Sequence, residues 1–265
     1  MPLLTQDRTA VYAQRRERAR ELGARFDFAQ DPLRLYLAVL DAQERIFERA
    51  RVDRPDADDL AAYVVRVALP DVMEAAVAAG TETLREGVLL RFHDGDLEGI
   101  VEAWLDDGEQ DGTDEFLARA SAAPVLEALP DIAATLRRAN DDERHCPRCG
   151  GLPQLAVFAD SGEALVTSQR KLVCSRCANE WTTSRMTCAS CGETAGAKMP
   201  ILSDVDHFPH LRIDACEMCR RYLITVDLRR DPCAVPLVDE LAAVPLDLAA
   251  AERGYTKIAR NLMGF

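Results

Sequence analysis

The 265-residue sequence lacks the features of a membrane-spanning or exported chain. It contains no unbroken apolar run of the length that a transmembrane helix requires. The N-terminal segment MPLLTQDRTAVYAQRRERAR has no basic stretch followed by an apolar one, which is the pattern of a secretory signal. From these absences we expect a cytoplasmic protein without membrane insertion.

Positive charge is also scarce. The formal net charge is -13, and residues 1–145 hold 18 Lys or Arg against 31 Asp or Glu, whereas the remainder is balanced. A nucleic-acid-binding protein needs a basic surface to neutralise phosphates, and neither half supplies a basic excess. We therefore expect no nucleic-acid partner, and the acidic half favours a partner segment rich in Arg or Lys.

Sequence motifs of catalysis are absent as well. There is no Gly-rich phosphate loop, no G-x-S-x-G and no nucleophile–base pair signalled by spacing. The sequence thus predicts a protein that is not an enzyme, with no catalytic residues and no binding site for an organic cofactor.

No cysteine occurs before residue 146, and the first half carries helical patterns instead. Asp31-Pro32 resembles a helix start, because a capping side chain precedes a proline that needs no N–H there. Apolar residues then recur on one face as far as about Arg51. Further helices are predicted near 8–22, 58–68, 71–79, 81–92, 96–106, 113–121 and 124–139. The polar segment at 140–145 is the expected end of an all-helical domain.

Eight of the nine cysteines form an internal repeat with a period of 42 residues. Each unit reads C-x2-C-x24-C-x2-C, and the offset also superposes Arg170 on Arg212 and Trp181 on Leu223. Such a period is typical of a repeated structural unit. In a cytoplasmic chain, paired C-x-x-C motifs indicate metal binding rather than disulfides. The predicted metal ligands are Cys146, Cys149, Cys174, Cys177, Cys188, Cys191, Cys216 and Cys219.

Two C-x-x-C turns brought together present four thiolates in a tetrahedron, which suits zinc or iron equally. The repeat favours two sites formed by sequential pairs of turns, and a cross-braced pairing is the alternative. We expect two metal ions, iron or zinc, each held by four cysteines. A reduced thiol pair or a thioredoxin-like redox motif would be the alternative for a single C-x-x-C, and four at this spacing argue against it.

Short segments around these turns resemble a zinc ribbon or rubredoxin. Residues 155–158 and 163–167 have the pattern of two strands. Gly150 and Gly192 follow the first turn of each unit and can adopt a positive φ. The second turns, CSRC and CEMC, lack this glycine, so we expect them to close differently.

The histidines and the ninth cysteine are expected to lie outside the metal sites. His145 adjoins a ligand, but four cysteines already complete each site. His207, Phe208 and His210 are interpreted as a contact surface for a partner. Cys233 is predicted to be a buried or free thiol. Residues 236–254 have a helical pattern broken at a proline.

The sequence resembles the formate dehydrogenase accessory protein family, FdhE. The matching segments are CPRCGG, LVCSRCANEW, RMTCASCGE, DACEMCRRYL and the tail PLVDELAAVPLDLAAAERGYTKIARNLMGF, with DPLRLYLAVLDAQ in the helical half. Ile224 stands where a lysine is usual in the family.

The resemblance implies an α+β multidomain fold. This is an all-helical N-terminal domain (1–140), then two tandem rubredoxin-like or zinc-ribbon modules (141–185 and 186–265), the second with a C-terminal helical tail. It implies a cytoplasmic factor that binds the catalytic subunit of respiratory formate dehydrogenase before export. The alternatives are a rubredoxin-type iron redox protein that passes electrons to a partner and a zinc-ribbon nucleic-acid binder.

Overall fold

The computed structural model describes residues 8–139, 142–159 and 169–265. It divides into two compact units, one formed by Met1–Leu136 with Leu262–Gly264 and one formed by Arg137–Asn261 with Phe265. The predicted strand at 163–167 and part of the predicted junction at 140–145 lie outside the described residues. Within the described residues, no helix is both long enough and apolar enough to cross a membrane.

The first unit is helical. Its helices are α1 (Arg8–Arg25), α2 (Gln30–Asp53), α3 (Leu60–Tyr63), α4 (Leu69–Ala79), α5 (Glu82–Asp94), α6 (Leu97–Leu105), α7 (Gly112–Ala128) and α8 (Pro130–Thr135). Two short 3₁₀ helices (Asp27–Ala29 and Ala57–Asp59) and a π-helical turn (Val64–Ala68) connect them. The prediction of an all-helical domain is confirmed.

Helix α2 lies at the centre of this unit. It packs against α1, α4 and α7, and Leu33, Leu40 and Ile46 on its apolar face are fully buried. Burial of such side chains contributes about 1.5–3 kcal/mol each. The helix begins at Gln30, so Asp31 lies in its first turn and makes no capping hydrogen bond.

Helix α7 corrects a sequence-based prediction. Two helices were expected, at 113–121 and 124–139, but α7 continues through Pro124 to Ala128. A proline inside a helix removes the hydrogen bond to the carbonyl four residues earlier. That carbonyl, of Ala120, instead accepts a hydrogen bond of 3.1 Å from the side chain of Gln43 on α2. A tertiary contact therefore replaces the bond that Pro124 cannot make.

Within the residues that the structure describes, the second unit is built on one seven-stranded mixed sheet. Its strands are β1 (Pro153–Ala159), β2 (Gln169–Cys174), β3 (Glu180–Thr183), β4 (Ile201–Leu202), β5 (Leu211–Ala215), β6 (Arg221–Asp227) and β7 (Thr256–Lys257). The order is β3-β2-β1-β6-β5-β4, and β7 pairs with β6. Strand β1 confirms the strand predicted at 155–158.

Both cysteine repeats contribute strands to this sheet. Strand β1 lies within the first repeat and pairs in parallel with β6, which follows the last cysteine of the second repeat, so that Leu155 lies opposite Ile224. In the 42-residue repeat, β3 and β6 are sequence counterparts, but in the sheet β3 is an edge strand and β6 is central. Trp181 on β3 is consequently half-buried, whereas its counterpart Leu223 is buried.

The C-terminal tail contains two helices, α9 (Pro236–Ala242) and α10 (Val244–Glu252). The break predicted within the helical pattern at 236–254 falls at Ala243, and Pro245 lies in the first turn of α10. The buried Lys257 on β7 binds Glu240 of α9 at 2.8 Å and Asp247 of α10 at 3.1 Å. Because an unpaired buried charge is destabilising, this ion-pair cluster ties both helices to the sheet.

Candidate metal centres

Two groups of four cysteines lie in the second unit. Cys146, Cys149, Cys174 and Cys177 form the first cluster, and Cys188, Cys191, Cys216 and Cys219 form the second; within each, the sulfur atoms lie within 4.8 Å of one another. The grouping is therefore sequential along the chain and not cross-braced.

The sulfur spacing fits a tetrahedral metal site. Metal–sulfur bonds of about 2.3 Å in a tetrahedron place the sulfur atoms about 3.8 Å apart. In the first cluster, the Sγ atoms of Cys146 and Cys177 are 3.8 Å apart and those of Cys149 and Cys174 are 3.4 Å apart. In the second cluster the corresponding distances are both 3.8 Å. Each cluster can hold one metal ion.

The two clusters differ in exposure. All four cysteines of the first cluster are buried. In the second cluster Cys191 is exposed and Cys219 is partly exposed. The first site is therefore closed to solvent, and the second is open on the side of Cys191.

All four C-x-x-C turns close with the same backbone conformation. The residue after the second cysteine of each turn has a positive φ, which is 74° at Gly150, 51° at Ala178, 80° at Gly192 and 57° at Arg220. The expectation that the turns without glycine close differently is wrong. The reason is that the hydrogen bond of 2.9 Å from the N–H of Arg220 to the carbonyl of Cys216 repeats the one from Gly150 to Cys146, so the ring closure imposes this φ on any residue.

Donors near the sulfur atoms were not predicted from the sequence. The backbone N–H of Arg176 lies 3.4 Å from Sγ of Cys174, and that of Ser190 lies 3.4 Å from Sγ of Cys188. The side-chain amide of Asn179 lies 3.7 Å from Sγ of Cys146. Such donors stabilise thiolates and orient metal ligands. The only sequence signal for Asn179 was a polar residue directly after a turn.

The thiols of each cluster affect one another's pKa. Hydrogen bonds with Cys149 and the other two thiols lower the pKa of the Cys146 thiol, and burial raises the pKa of the Cys174 thiol. In the second cluster burial raises the pKa of Cys188 to about 12. Four adjacent sulfurs cannot all become thiolates without a compensating cation, and a divalent metal ion supplies that charge.

The other residues singled out from the sequence lie outside both clusters. His145 contacts Asp142, with 3.0 Å between Nδ1 and Oδ1, and Cys233 is exposed. His210 is buried and its Nε2 lies 2.8 Å from Oδ1 of Asp239. Phe208 is buried as well. The contact surface expected at 207–210 is therefore wrong for its central and last residues, since a partner cannot reach them.

A third group, formed by His210, Asp231 and Asp239, has donor atoms close enough for a cation. However, Oδ2 of Asp239 also accepts a hydrogen bond of 2.7 Å from the N–H of Val235, just before α9. The buried His210–Asp239 pair thus has partners within the protein and fixes the start of that helix. We interpret it as structural.

One unit is helical, and the other contains a sheet that carries two rubredoxin-like four-cysteine clusters. Together these features define a class of two-site metal-binding proteins. Residues 186–263 match the family model described as FdhE, C-terminal domain. This match supports the resemblance to the FdhE family.

Relatives and a solved structure agree with this assignment. The chain is 29% identical over 190 residues to a protein FdhE homolog of Aquifex aeolicus, covering 70% of this chain and 65% of that one. It is 31% identical over 212 residues to a protein FdhE homolog of Pseudomonas aeruginosa, covering 73% and 62%. The chain thus spans less than two thirds of the length of these curated relatives.

The crystal structure of the FdhE protein from Pseudomonas aeruginosa superposes with a TM-score of 0.71 at 23% identity, covering 99% of this chain and 98% of that one. At this identity the likeness concerns the fold. Both the fold class and the family resemblance predicted from the sequence are confirmed.

Proposed function

We propose that this protein is a cytoplasmic accessory factor for formate dehydrogenase maturation, which binds the catalytic subunit before export and has no turnover of its own. The similarity to FdhE proteins carries the proposal. The rigid four-cysteine modules support it, because already ordered surfaces lose little entropy when they bind a partner.

We further propose that the eight cysteines hold two metal ions, zinc or iron. The sulfur spacing supports four-cysteine coordination, and small modules of this kind obtain folding free energy from the metal. Elemental analysis of purified protein should give two equivalents. Cys216→Ser should lower this to one, whereas the matched control Cys233→Ser should retain two. One equivalent or none in the wild type would contradict the two-site assignment.

An apolar groove in the helical unit is the surface that we assign to partner binding. It lies between α4 and α5 and has a volume of about 630 Å³. Leu89 and Phe92 on its wall are 48% and 65% exposed. Exposed apolar surface of this kind is typical of protein–protein contacts.

The charge around the groove indicates the chemistry of the occupant. Among the described residues that line it, the charged one is Glu74, which is exposed. This groove belongs to the half of the sequence that carries the acidic excess. We therefore infer that the occupant is an amphipathic segment of the catalytic subunit with an apolar face and flanking Arg or Lys side chains.

The test is co-purification of the tagged protein with the catalytic subunit of a formate dehydrogenase. Leu89→Ser/Phe92→Ser should weaken binding about tenfold or more, because central apolar contacts contribute more than 1 kcal/mol each. Val52→Ser is the matched control, since Val52 is an exposed apolar residue that does not line the groove. Absence of binding by the wild type would contradict the function, and unchanged binding by the double variant would contradict the assignment of the groove.

The second candidate function is one-electron transfer by iron. The exposure of Cys191 favours it, because an open sulfur shortens the path for an electron to a partner. Iron-loaded protein should then show a reversible change in its visible spectrum on reduction. A colourless protein that contains zinc after native purification would exclude this role.

A further inference from the structure

A cavity lined by arginines lies on one face of the sheet, beside the second four-cysteine cluster. Its volume is about 90 Å³. Four arginines from different segments line it, namely Arg170 on β2, Arg185 after β3, Arg212 on β5 and Arg221 on β6. Such a concentration of positive charge is unexpected in a chain with a net charge of -13.

The strand pairing explains why these side chains meet. Arg170 lies opposite Phe158 of β1, and Arg212 lies opposite Thr225 of β6. The guanidinium groups of Arg185 and Arg212 are 5.4 and 5.1 Å from the ring centroid of Phe158. Phe158 therefore acts as an aromatic platform that holds guanidinium groups in place.

Two of the arginines, Arg170 and Arg212, contact the same carboxylate. Asp214 is the carboxylate among the described lining residues, and its Oδ2 lies 3.3 Å from Arg170 and accepts a hydrogen bond of 2.7 Å from Thr225. Two guanidinium groups, those of Arg170 and Arg212, therefore share this one carboxylate. Cys188 also lines the cavity, so a loaded metal–thiolate cluster would balance part of their positive charge.

In the described part of the chain, one hydrogen-bond donor of the cavity wall lacks an acceptor and a second has only an ion-pair contact. The side chain of Arg170 is 3% exposed, and its Nε has no hydrogen-bond partner among the described residues. The Nε of Arg212 lies 2.9 Å from Oδ1 of Asp214, but the two atoms do not form a hydrogen bond. A buried donor on a cation without an acceptor is destabilising, so these groups favour a ligand that brings oxygen atoms.

We propose that this cavity binds a small oxyanion, that is, a carboxylate or a phosphate-type group. The planar fork of arginine matches the oxygen geometry of both groups. A volume of about 90 Å³ equals about three water molecules of the liquid, which accommodates such a group but no nucleotide. Because the walls come from both cysteine units, the site forms only when the shared sheet is complete.

The experiment is calorimetric titration of the full-length, metal-loaded protein with sodium phosphate, sodium formate and sodium acetate at constant ionic strength, with sodium chloride as the reference. Saturable binding of at least one oxyanion, and none of chloride, is expected. The phosphate arm and the two carboxylate arms distinguish the two sources of the shared chemistry.

Arg185→Gln and Arg212→Gln should each weaken this binding at least tenfold. Arg185 is exposed, so its variant is expected to fold, and unchanged metal content checks this for both. The matched control Arg148→Gln removes the same charge beside the first cluster, outside the cavity, and should bind as the wild type does. No saturable oxyanion binding, or equal weakening by Arg148→Gln, would overturn the proposal.

Discussion

The backbone at the cysteine turns allows a quantitative test by reciprocal substitution. Ala178 and Gly192 occupy equivalent positions after a C-x-x-C turn and have φ values of 51° and 80°. Ala178→Gly should stabilise the first cluster, and Gly192→Ala should destabilise the second. Both effects arise from the left-handed backbone conformation, which is unfavourable for any residue with a Cβ atom.

The magnitude follows from two opposing contributions. The left-handed conformation costs about 1–2 kcal/mol for a residue other than glycine. Glycine loses about 0.5–1 kcal/mol more conformational freedom on folding than alanine. The net stabilisation by Ala178→Gly is therefore about 0–1.5 kcal/mol. A Cβ atom at Gly192 would meet no atom within 4 Å, so Gly192→Ala should cost a similar amount through the backbone alone.

The assay is urea unfolding of the metal-loaded protein, followed by the fluorescence of Trp181 in a Trp104→Phe background. Trp181 lies on β3, directly after the turn that contains Ala178, so it reports on the second unit. A lower midpoint for Ala178→Gly would refute the argument, because it would show that the methyl group contributes more through packing than the backbone conformation costs.

Two further predictions concern the clusters and α7. A chelator should remove metal from the second cluster before the first, because Cys191 is exposed whereas the first cluster is buried; metal release followed in time should show two phases, and Cys216→Ser should abolish the faster one. Gln43→Met should lower the free energy of unfolding by about 1–3 kcal/mol, because it leaves the buried Ala120 carbonyl without a partner. Thermal unfolding followed by circular dichroism measures this loss. In a Pro124→Ala background the loss should be smaller, since residue 124 then supplies the missing N–H.

The sequence predicted the helical half and the metal clusters for different reasons. Helices with one apolar face, such as α2, leave a periodic pattern, and the C-x-x-C spacing reports ligand chemistry directly. By contrast, nothing local to Pro124 shows that Gln43 will bind the carbonyl of Ala120. The break that was predicted near residue 122 is absent because a contact between residues far apart in the sequence overrides the local preference.

The arrangement of the modules was equally hidden. The 42-residue repeat treats both cysteine repeats alike, but the structure joins the first strand of one to the strand that follows the last cysteine of the other. The positive φ at Arg220 was missed for a related reason, because turn closure, rather than residue type, determines the backbone there. Similarly, the superposition of Arg170 on Arg212 was visible in the sequence, but their shared cavity depends on the sheet order.

The parallel pairing of β1 with β6 has a consequence for biosynthesis. While the chain emerges from the ribosome, the first cysteine unit can bind metal, but the edge of β1 from Leu155 to Phe158 has no partner until Ile224 and the residues after it have been made. An unpaired apolar strand edge is a site of aggregation. The nascent protein therefore passes through an interval in which it is itself vulnerable. Early metal loading of the first cluster would hold β2 against one edge of β1, but the edge that faces β6 stays open until that strand has been made.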